Sequence, residues 1–133
     1  MFLNQLTEQN KEKFLQLCFY AALANSDFAK EEGEAISLYC MEMGLDPHVP
    51  EAETSLDDLL VSMNTSTDDR EKKIIFLEIL GLFKTDGTID ENEQRFIDTV
   101  KTHLEIEDND YSQFDSLLDR YTAVYKDLCN AIG

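Results

Sequence analysis

The sequence is poor in residues that break helices. Five glycines and two prolines punctuate its 133 residues, and long stretches of apolar periodicity separate them. This spacing favours helices over many short strands. Hydrophobic residues make up 43% and charged residues 29% of the chain, which is typical of a globular protein and argues against wholesale disorder. We therefore expect residues 1–133 to form a single all-α domain.

Positive charge is also scarce. Only 11 basic residues oppose 28 acidic ones, and the formal net charge is −17. An electrostatic field of that sign repels a phosphate backbone, so nucleic acid is excluded as a partner. The acidic surface has three remaining interpretations: a solvated face, a site for cations, or a surface for a basic protein partner.

The chain has few residues suited to catalysis or to disulfides. Cys18, Cys40 and Cys129 form no C-x-x-C pair, and each lies in an apolar helical pattern, so we expect three buried thiols. His48 and His103 are the only histidines, and neither has a nucleophile near it in sequence. No glycine-rich phosphate loop is present. These features predict a protein that is not an enzyme.

No stretch of the sequence is apolar over the length of a membrane span. The segment Met1–Leu6 has neither a basic lead nor an apolar run of secretory length. We therefore expect no membrane span and a cytoplasmic location.

Two acidic segments, residues 25–34 and 84–93, look like copies of each other. A shift of 59 residues (86 − 27) places Asp27 on Asp86 and also aligns the apolar helices that precede them. A repeat identifies the supersecondary unit of a chain. The sequence is therefore predicted to contain two pseudo-repeats, one at about 7–64 and the other at about 67–130.

The predicted architecture is a compact bundle of about six helices in two sets of three. Helices are expected at about Thr7–Ala24, Glu31–Met43, after Ser55, at Asp68–Lys84, from Asp90, and after a break at Glu107–Asp110. The helix at Asp68–Lys84 is apolar on nearly every side, which marks it as the central helix.

The helix expected at the C-terminal end carries a regular apolar stripe. Its members are Phe114, Leu117, Leu118, Tyr121, Tyr125 and Leu128. In the central helix, Gly81 aligns with Ala22 under the shift of 59 residues. Both residues are small, and both are predicted to permit close contact between helices.

The second acidic loop invites comparison with a calcium-binding EF-hand. Residues 86–93 match positions 5 to 12 of that pattern, including the glycine, the inward apolar residue and the final glutamate. Leu82 and Lys84, however, stand where ligands 1 and 3 belong, and neither supplies an anionic oxygen. A degenerate EF-hand-like calcium binder is therefore a remote alternative.

The same loop belongs to a broader pattern. Residues 85–93 read Thr-Asp-Gly-Thr-Ile-Asp-Glu-Asn-Glu after an apolar helix, and residues 26–34 carry a partial version in which Phe28 replaces the glycine. This pattern, which spans about residues 14–104, resembles the TerB-like domains, a family named for a tellurite-resistance protein. The resemblance implies an all-helical fold of two pseudo-repeats with an acidic metal site, acting in stress response or as an accessory interaction domain. Phe28 departs from the pattern, because a non-glycine residue tolerates positive φ poorly.

The resemblance also implies a set of metal ligands. The principal candidates are Asp27, Glu34, Asp86 and Glu93, and the secondary candidates are Asp90 and Glu31. Ca²⁺, Mg²⁺ and Mn²⁺ favour carboxylate oxygens, so a divalent ion is the candidate cofactor. Alternatively, Asp90 and Glu93 only cap a helix while Asp27 and Asp86 only form turns. The chain would then be an acidic protein–protein interaction scaffold without a metal.

Overall fold

The computed structural model describes residues 1–24, 37–46, 54–84 and 88–133. These residues form helices and no strand, which confirms the all-α prediction. A 3-10 turn at Leu3–Gln5 precedes α1 (Glu8–Ala24), α2 (helical residues 37–43), α3 (Leu56–Ser66), α4 (Asp69–Lys84), α5 (Glu91–His103) and α6 (Asp108–Ile132). The single domain and the two pseudo-repeats stay predictions.

Buried side chains join these helices in one cluster. Helix α4 packs against α1, α5, α6 and the 3-10 turn, as expected for a central helix. Its fully or nearly buried apolar residues are Ile74, Ile75, Phe76, Ile79, Leu80 and Phe83. Helix α1 contributes Phe14, Leu15, Leu17, Cys18 and Ala21. Burial of these side chains is the main favourable contribution to folding.

Two helices end in the same type of left-handed turn. After α2, Gly44 has a φ of 72°, and the amide of the following residue donates to the carbonyl of Cys40 at 2.8 Å. After α5, Glu105 has a φ of 56°, and the next amide donates to the carbonyl of Lys101 at 3.0 Å. Glycine adopts this conformation without steric cost, whereas glutamate adopts it only at a steric cost. In the sequence, the glycine indicates where α2 ends, whereas no residue of this kind indicates where α5 ends.

The connection between α5 and α6 comprises residues 104–107, because α6 begins at Asp108. The break predicted at Glu107–Asp110 is therefore placed about three residues too late. Polar residues at Asp108–Asp110 resemble a loop in sequence, but acidic side chains are also stabilised in the first turn of a helix.

Several expectations about burial are wrong. Cys18 and Cys40 are buried as predicted, but Cys129 is exposed. Leu23, whose spacing matches the buried side of α1, is 70% exposed. A Cβ atom added at Gly81 would lie 3.6 Å from a methyl carbon of Leu118, which is ordinary van der Waals contact. Leu118 of α6 thus lies next to Gly81, and this contact between the helices leaves room for a methyl group.

Candidate functional site

Two of the six predicted metal ligands, Asp90 and Glu93, lie at the start of α5. The Glu93 amide donates to Asp90 Oδ1 at 2.8 Å, and the Asp90 amide donates to Glu93 Oε1 at 3.1 Å. This reciprocal pair is a capping box and confirms the helix start expected at Asp90. Glu93 is buried, with 4% of its surface exposed. At least one oxygen of each carboxylate therefore serves the backbone of the helix.

The start of α4 shows the same arrangement outside the acidic repeat. The Glu71 amide donates to Asp68 Oδ1 at 2.8 Å, and the Asp68 amide lies 3.5 Å from Glu71 Oε1. The shared Asp-x-x-Glu spacing thus produces a cap in a segment that carries no Asp-Gly motif. Capping alone is sufficient to account for the positions of Asp90 and Glu93.

The other four predicted ligands, Asp27, Glu31, Glu34 and Asp86, lie outside the described residues. Among the residues that are described, no group of three or more His, Cys, Asp or Glu side chains is placed to hold a metal ion. The metal site therefore stays a prediction from the sequence.

Buried polar groups hold α1 against α4. Glu71 Oε2 accepts a hydrogen bond from Asn10 Nδ2 at 2.9 Å and another from the Thr7 amide at 3.2 Å. Asn10 Nδ2 also donates to the carbonyl of Ser66 at 3.1 Å. Hydrogen bonds of this kind offset the desolvation cost of the buried polar groups.

His103 lies in the last turn of α5. Its Nδ1 donates to the carbonyl of Thr99 at 2.9 Å, and its Nε2 lies 3.7 Å from Asp57 Oδ1. These contacts place its ring at a helix end, beside the carboxylate of Asp57. His48 lies outside the described residues.

The most unusual surface of the described residues is on α6. Only Leu118 is buried in this helix of 25 residues, and every residue from 119 to 133 is exposed. We define the α6 face as six apolar side chains that are between 44% and 87% exposed: Leu117, Tyr121, Val124, Tyr125, Leu128 and Ile132. The sequence predicted this apolar stripe, but its exposure was not foreseen.

The apolar residues of α6 alternate in steps of three and four. The series is Tyr111, Phe114, Leu118, Tyr121, Tyr125, Leu128 and Ile132. Its first members pack on the core, since the Tyr111 ring lies 5.3 Å from the Phe76 ring and Phe114 is half-buried. The last four are exposed. Such a heptad seam is the usual contact line between two helices, so the same seam that joins α6 to α4 continues past the end of the core.

A groove of about 470 Å³ runs beside the middle of α6. Its apolar walls come mainly from α2, α4 and α6, through Tyr39, Leu77, Leu82, Leu118, Tyr121 and Tyr125. Tyr121 and Tyr125 also stack on each other, with ring centroids 6.5 Å apart. The groove and the α6 face therefore share these two tyrosines.

Two cations at the groove are paired within the chain. The Met1 ammonium lies 2.6 Å from Glu78 and 2.8 Å from Glu42. Burial lowers the pKa of this ammonium, but hydrogen bonds to Glu42 and Glu78 outweigh burial and leave the pKa raised. Similarly, burial lowers the pKa of Lys84, but its hydrogen bonds to Asp115 and Asp119 leave it raised. Both cations remain protonated at neutral pH, and neither is a candidate base.

No protein-family model matches the chain, and neither does any curated protein or solved structure. In the part of the chain that the structure describes, no helix is both long and apolar enough to cross a membrane. The resemblance to TerB-like domains stays a prediction from the sequence.

Proposed function

We propose that this chain is a non-enzymatic protein-interaction module that docks another polypeptide on the α6 face. The observation that carries the proposal is the exposure of this face next to the apolar groove. Scaled by typical residue surfaces, its six residues expose on the order of 700 Å² in total, tyrosine hydroxyls included. Soluble monomers seldom expose more than about 300–600 Å² of contiguous apolar surface, and larger patches mark interaction sites.

The composition of the α6 face also supports binding of a polypeptide. Tyr121 and Tyr125 are rigid and amphipathic, and tyrosine is enriched among residues that dominate binding energy. They line a concave surface beside α4, into which a partner side chain can insert.

Photo-crosslinking tests this proposal. A benzoylphenylalanine replaces Tyr125 on the α6 face, and the matched control carries it in place of Ala123, which is exposed two residues away on the opposite side of α6. In cells that naturally produce the chain, we expect the probe at Tyr125 to capture a polypeptide and the control to capture far less. Equal capture at both positions, or none at either, would contradict the proposal.

Binding of a divalent cation is the second candidate function. It is supported by the duplicated acidic motif and by the burial of Glu93. Asp27, Glu34, Asp86 and Glu93, with Asp90 and Glu31, would supply oxygens to Ca²⁺, Mg²⁺ or Mn²⁺. Bound ion would raise the thermal stability of the unmodified chain, and Asp86→Asn would remove that rise. Absence of a rise with every ion would refute this candidate.

Replacing Asp90 separates capping from metal binding. Asp90→Ser keeps an N-cap oxygen but removes the carboxylate, whereas Asp90→Ala removes both and should cost about 1 kcal/mol of stability. If Asp90 is a ligand, Asp90→Ser weakens the response to the ion while retaining most of the stability. An unchanged response in Asp90→Ser restricts the role of Asp90 to capping.

The basic partner expected from the net charge remains a proposal as well. An acidic surface would steer such a partner and would hold it less tightly as salt increases. Capture through the acidic surface should therefore fall between low and physiological ionic strength, whereas capture through the apolar α6 face should change little. A salt-independent interaction with a basic protein would argue against the acidic surface.

A further inference from the structure

The exposed end of α6 would be stabilised by another polypeptide packed against it. Residues 119–132 are helical and exposed, and they extend over roughly 21 Å at 1.5 Å per residue. Helices of this length are marginal in water unless one face packs against something. The proposed interaction module therefore poses a specific question: which polypeptide covers the α6 face?

We infer that the cover is the α6 face of a second copy of this chain, in antiparallel orientation, so that the module is a two-fold symmetric dimer. This inference rests on the proposed function and names the partner. It follows from the placement of charge along α6, from the heptad seam and from the area available.

The seam of α6 carries no charge over its exposed length. From 121 to 132 the seam positions are Tyr121, Tyr125, Leu128 and Ile132, and the positions that flank the seam are Thr122, Val124, Cys129 and Ala131. The only charged residues in this stretch are Lys126 and Asp127, which offset each other. Neither occupies a seam position, although Lys126 borders the groove beside Tyr125.

This charge distribution favours a second copy over a basic partner. A basic amphipathic helix would find no carboxylates flanking the exposed seam, so it would gain little electrostatic complementarity there. Two copies, by contrast, bring no like charges together at the seam. Their net charge of −17 each lies mostly outside this stretch, and repulsion between distant charges is screened beyond about 8 Å at physiological salt.

The antiparallel orientation follows from the position of the rest of the chain. Parallel helices would place two acidic bodies side by side at the same end of the pair, whereas antiparallel helices place them at opposite ends. Pairing the exposed stretch with itself sets Tyr125 of one copy against Leu128 of the other, and Tyr121 against Ile132. Each contact then occurs twice, as an isologous interface requires. Ile132, which is 87% exposed, would come to lie beside the groove of the other copy.

The available area agrees with a dimer of modest stability. The α6 face exposes on the order of 700 Å² in each copy, which is an upper limit to the area these six residues can bury, compared with about 800 Å² buried per partner in a standard interface. Walls of the groove would add to this area if Ile132 enters it.

Molecular mass in solution provides the first test. Sedimentation equilibrium of the full chain should show a shift from 15.3 kDa towards twice that mass as the concentration rises. Leu128→Asp should weaken dimerisation by about 100-fold or more, because it buries a charge in the seam. Ala123→Asp introduces the same charge on the opposite side of α6 and should leave the dimer unchanged. Circular dichroism should show that both variants keep the folded core, and that Leu128→Asp loses helix at most over the exposed end of α6.

A cross-linking experiment tests the orientation and the register. Thr122→Cys should be joined by a short bis-maleimide to Cys129 of the other copy, since these flanking positions meet only in the antiparallel pairing described. Within one copy the two positions are seven residues apart, roughly 10 Å along the helix. The unmodified chain, which carries Cys129 without a cysteine at position 122, should give far less cross-linked dimer than Thr122→Cys. The cross-linked dimer should also disappear in Thr122→Cys combined with Cys129→Ser. Persistence of the cross-link in that double variant would overturn the register.

The outcomes distinguish this inference from the proposed function. A chain that stays at 15.3 kDa at the highest concentration, or a dimer insensitive to Leu128→Asp, would overturn the inference. If the chain is monomeric but the probe at Tyr125 captures a different protein, the inference fails and the proposed function stands. If the chain is monomeric and the probe captures nothing, both fail.

Discussion

Helices α4 and α6 have similar apolar content in sequence but opposite environments. Helix α4 is enclosed by α1, α5, α6 and the 3-10 turn, and its side chains Phe76 and Phe83 are fully buried. Helix α6 packs mainly on α4 through its first three turns and then continues with one side uncovered. The apolar period of a helix thus identifies the face that gains from burial. It does not identify the element that covers that face.

The largest expected effect is the loss of unfolding free energy when an aromatic ring is removed from α4. Phe76→Ala deletes a fully buried ring that contacts Tyr111, and should cost about 3–5 kcal/mol. Urea unfolding followed by circular dichroism measures this loss, since the chain has no tryptophan. A loss below about 1 kcal/mol would mean that α4 is not the centre of the core.

Removing a buried carboxylate from α4 should have the next largest effect. Glu71→Ala leaves the donors of Asn10 and Thr7 without their partner and should cost about 2 kcal/mol. A double-mutant cycle with Asn10→Ala isolates the pair and should give a coupling of about 1 kcal/mol. Strict additivity of the two substitutions would refute a direct interaction.

The contact between α4 and α6 has room for a methyl group. Gly81→Ala should stabilise the chain by about 1 kcal/mol, because alanine favours a helix interior and the new Cβ atom meets Leu118 at 3.6 Å. Thermal unfolding of Gly81→Ala beside the unmodified chain provides the measurement. Destabilisation would show that the two helices lie closer than this distance.

A smaller gain is expected at the turn that leads into α6. Glu105→Gly relieves the left-handed φ of 56° and should stabilise the chain by about 0.5 kcal/mol, since the greater freedom of glycine in the unfolded chain offsets part of the benefit. Gly44→Ala, at the equivalent turn after α2, should lower stability instead. The same sign for both substitutions in chemical denaturation would contradict this account.

The smallest effect on folding should come from the α6 face. Leu128→Ser in dilute solution should change the unfolding free energy of the core by less than about 0.5 kcal/mol, because the side chain is exposed in a single copy. The contrast with Phe76→Ala is the direct measure of the difference between α4 and α6. A loss comparable to that of Phe76→Ala, measured by urea unfolding at low concentration, would show that the α6 face is covered within one copy.

Local signals made much of the fold predictable. Ser55 accepts a hydrogen bond from the Asp58 amide at 3.2 Å, Asp90 and Glu93 form a capping box, and Gly44 ends α2, all as the sequence indicates. Each of these features depends on residues within one turn of each other. The start of α5, which carries Asp90 and Glu93, could therefore be predicted from the sequence.

Other features depend on residues far apart in the chain and had no local signal. Glu105 adopts a positive φ between Leu104 and Ile106, which are both buried in the core, so packing on either side determines the turn. Glu71 meets Asn10 across 61 positions of sequence. No pattern within either helix predicts that these two side chains face each other.

The sequence by itself determined that this protein is helical, where most of its helices begin and end, and which side of each helix is apolar. Caps and helical periodicity arise from neighbouring residues, so these properties follow from local chemistry. Only the tertiary structure decided that α4 is enclosed and that the second half of α6 is not. Burial depends on which distant helices come together, and past Leu118 no other described helix covers the seam of α6.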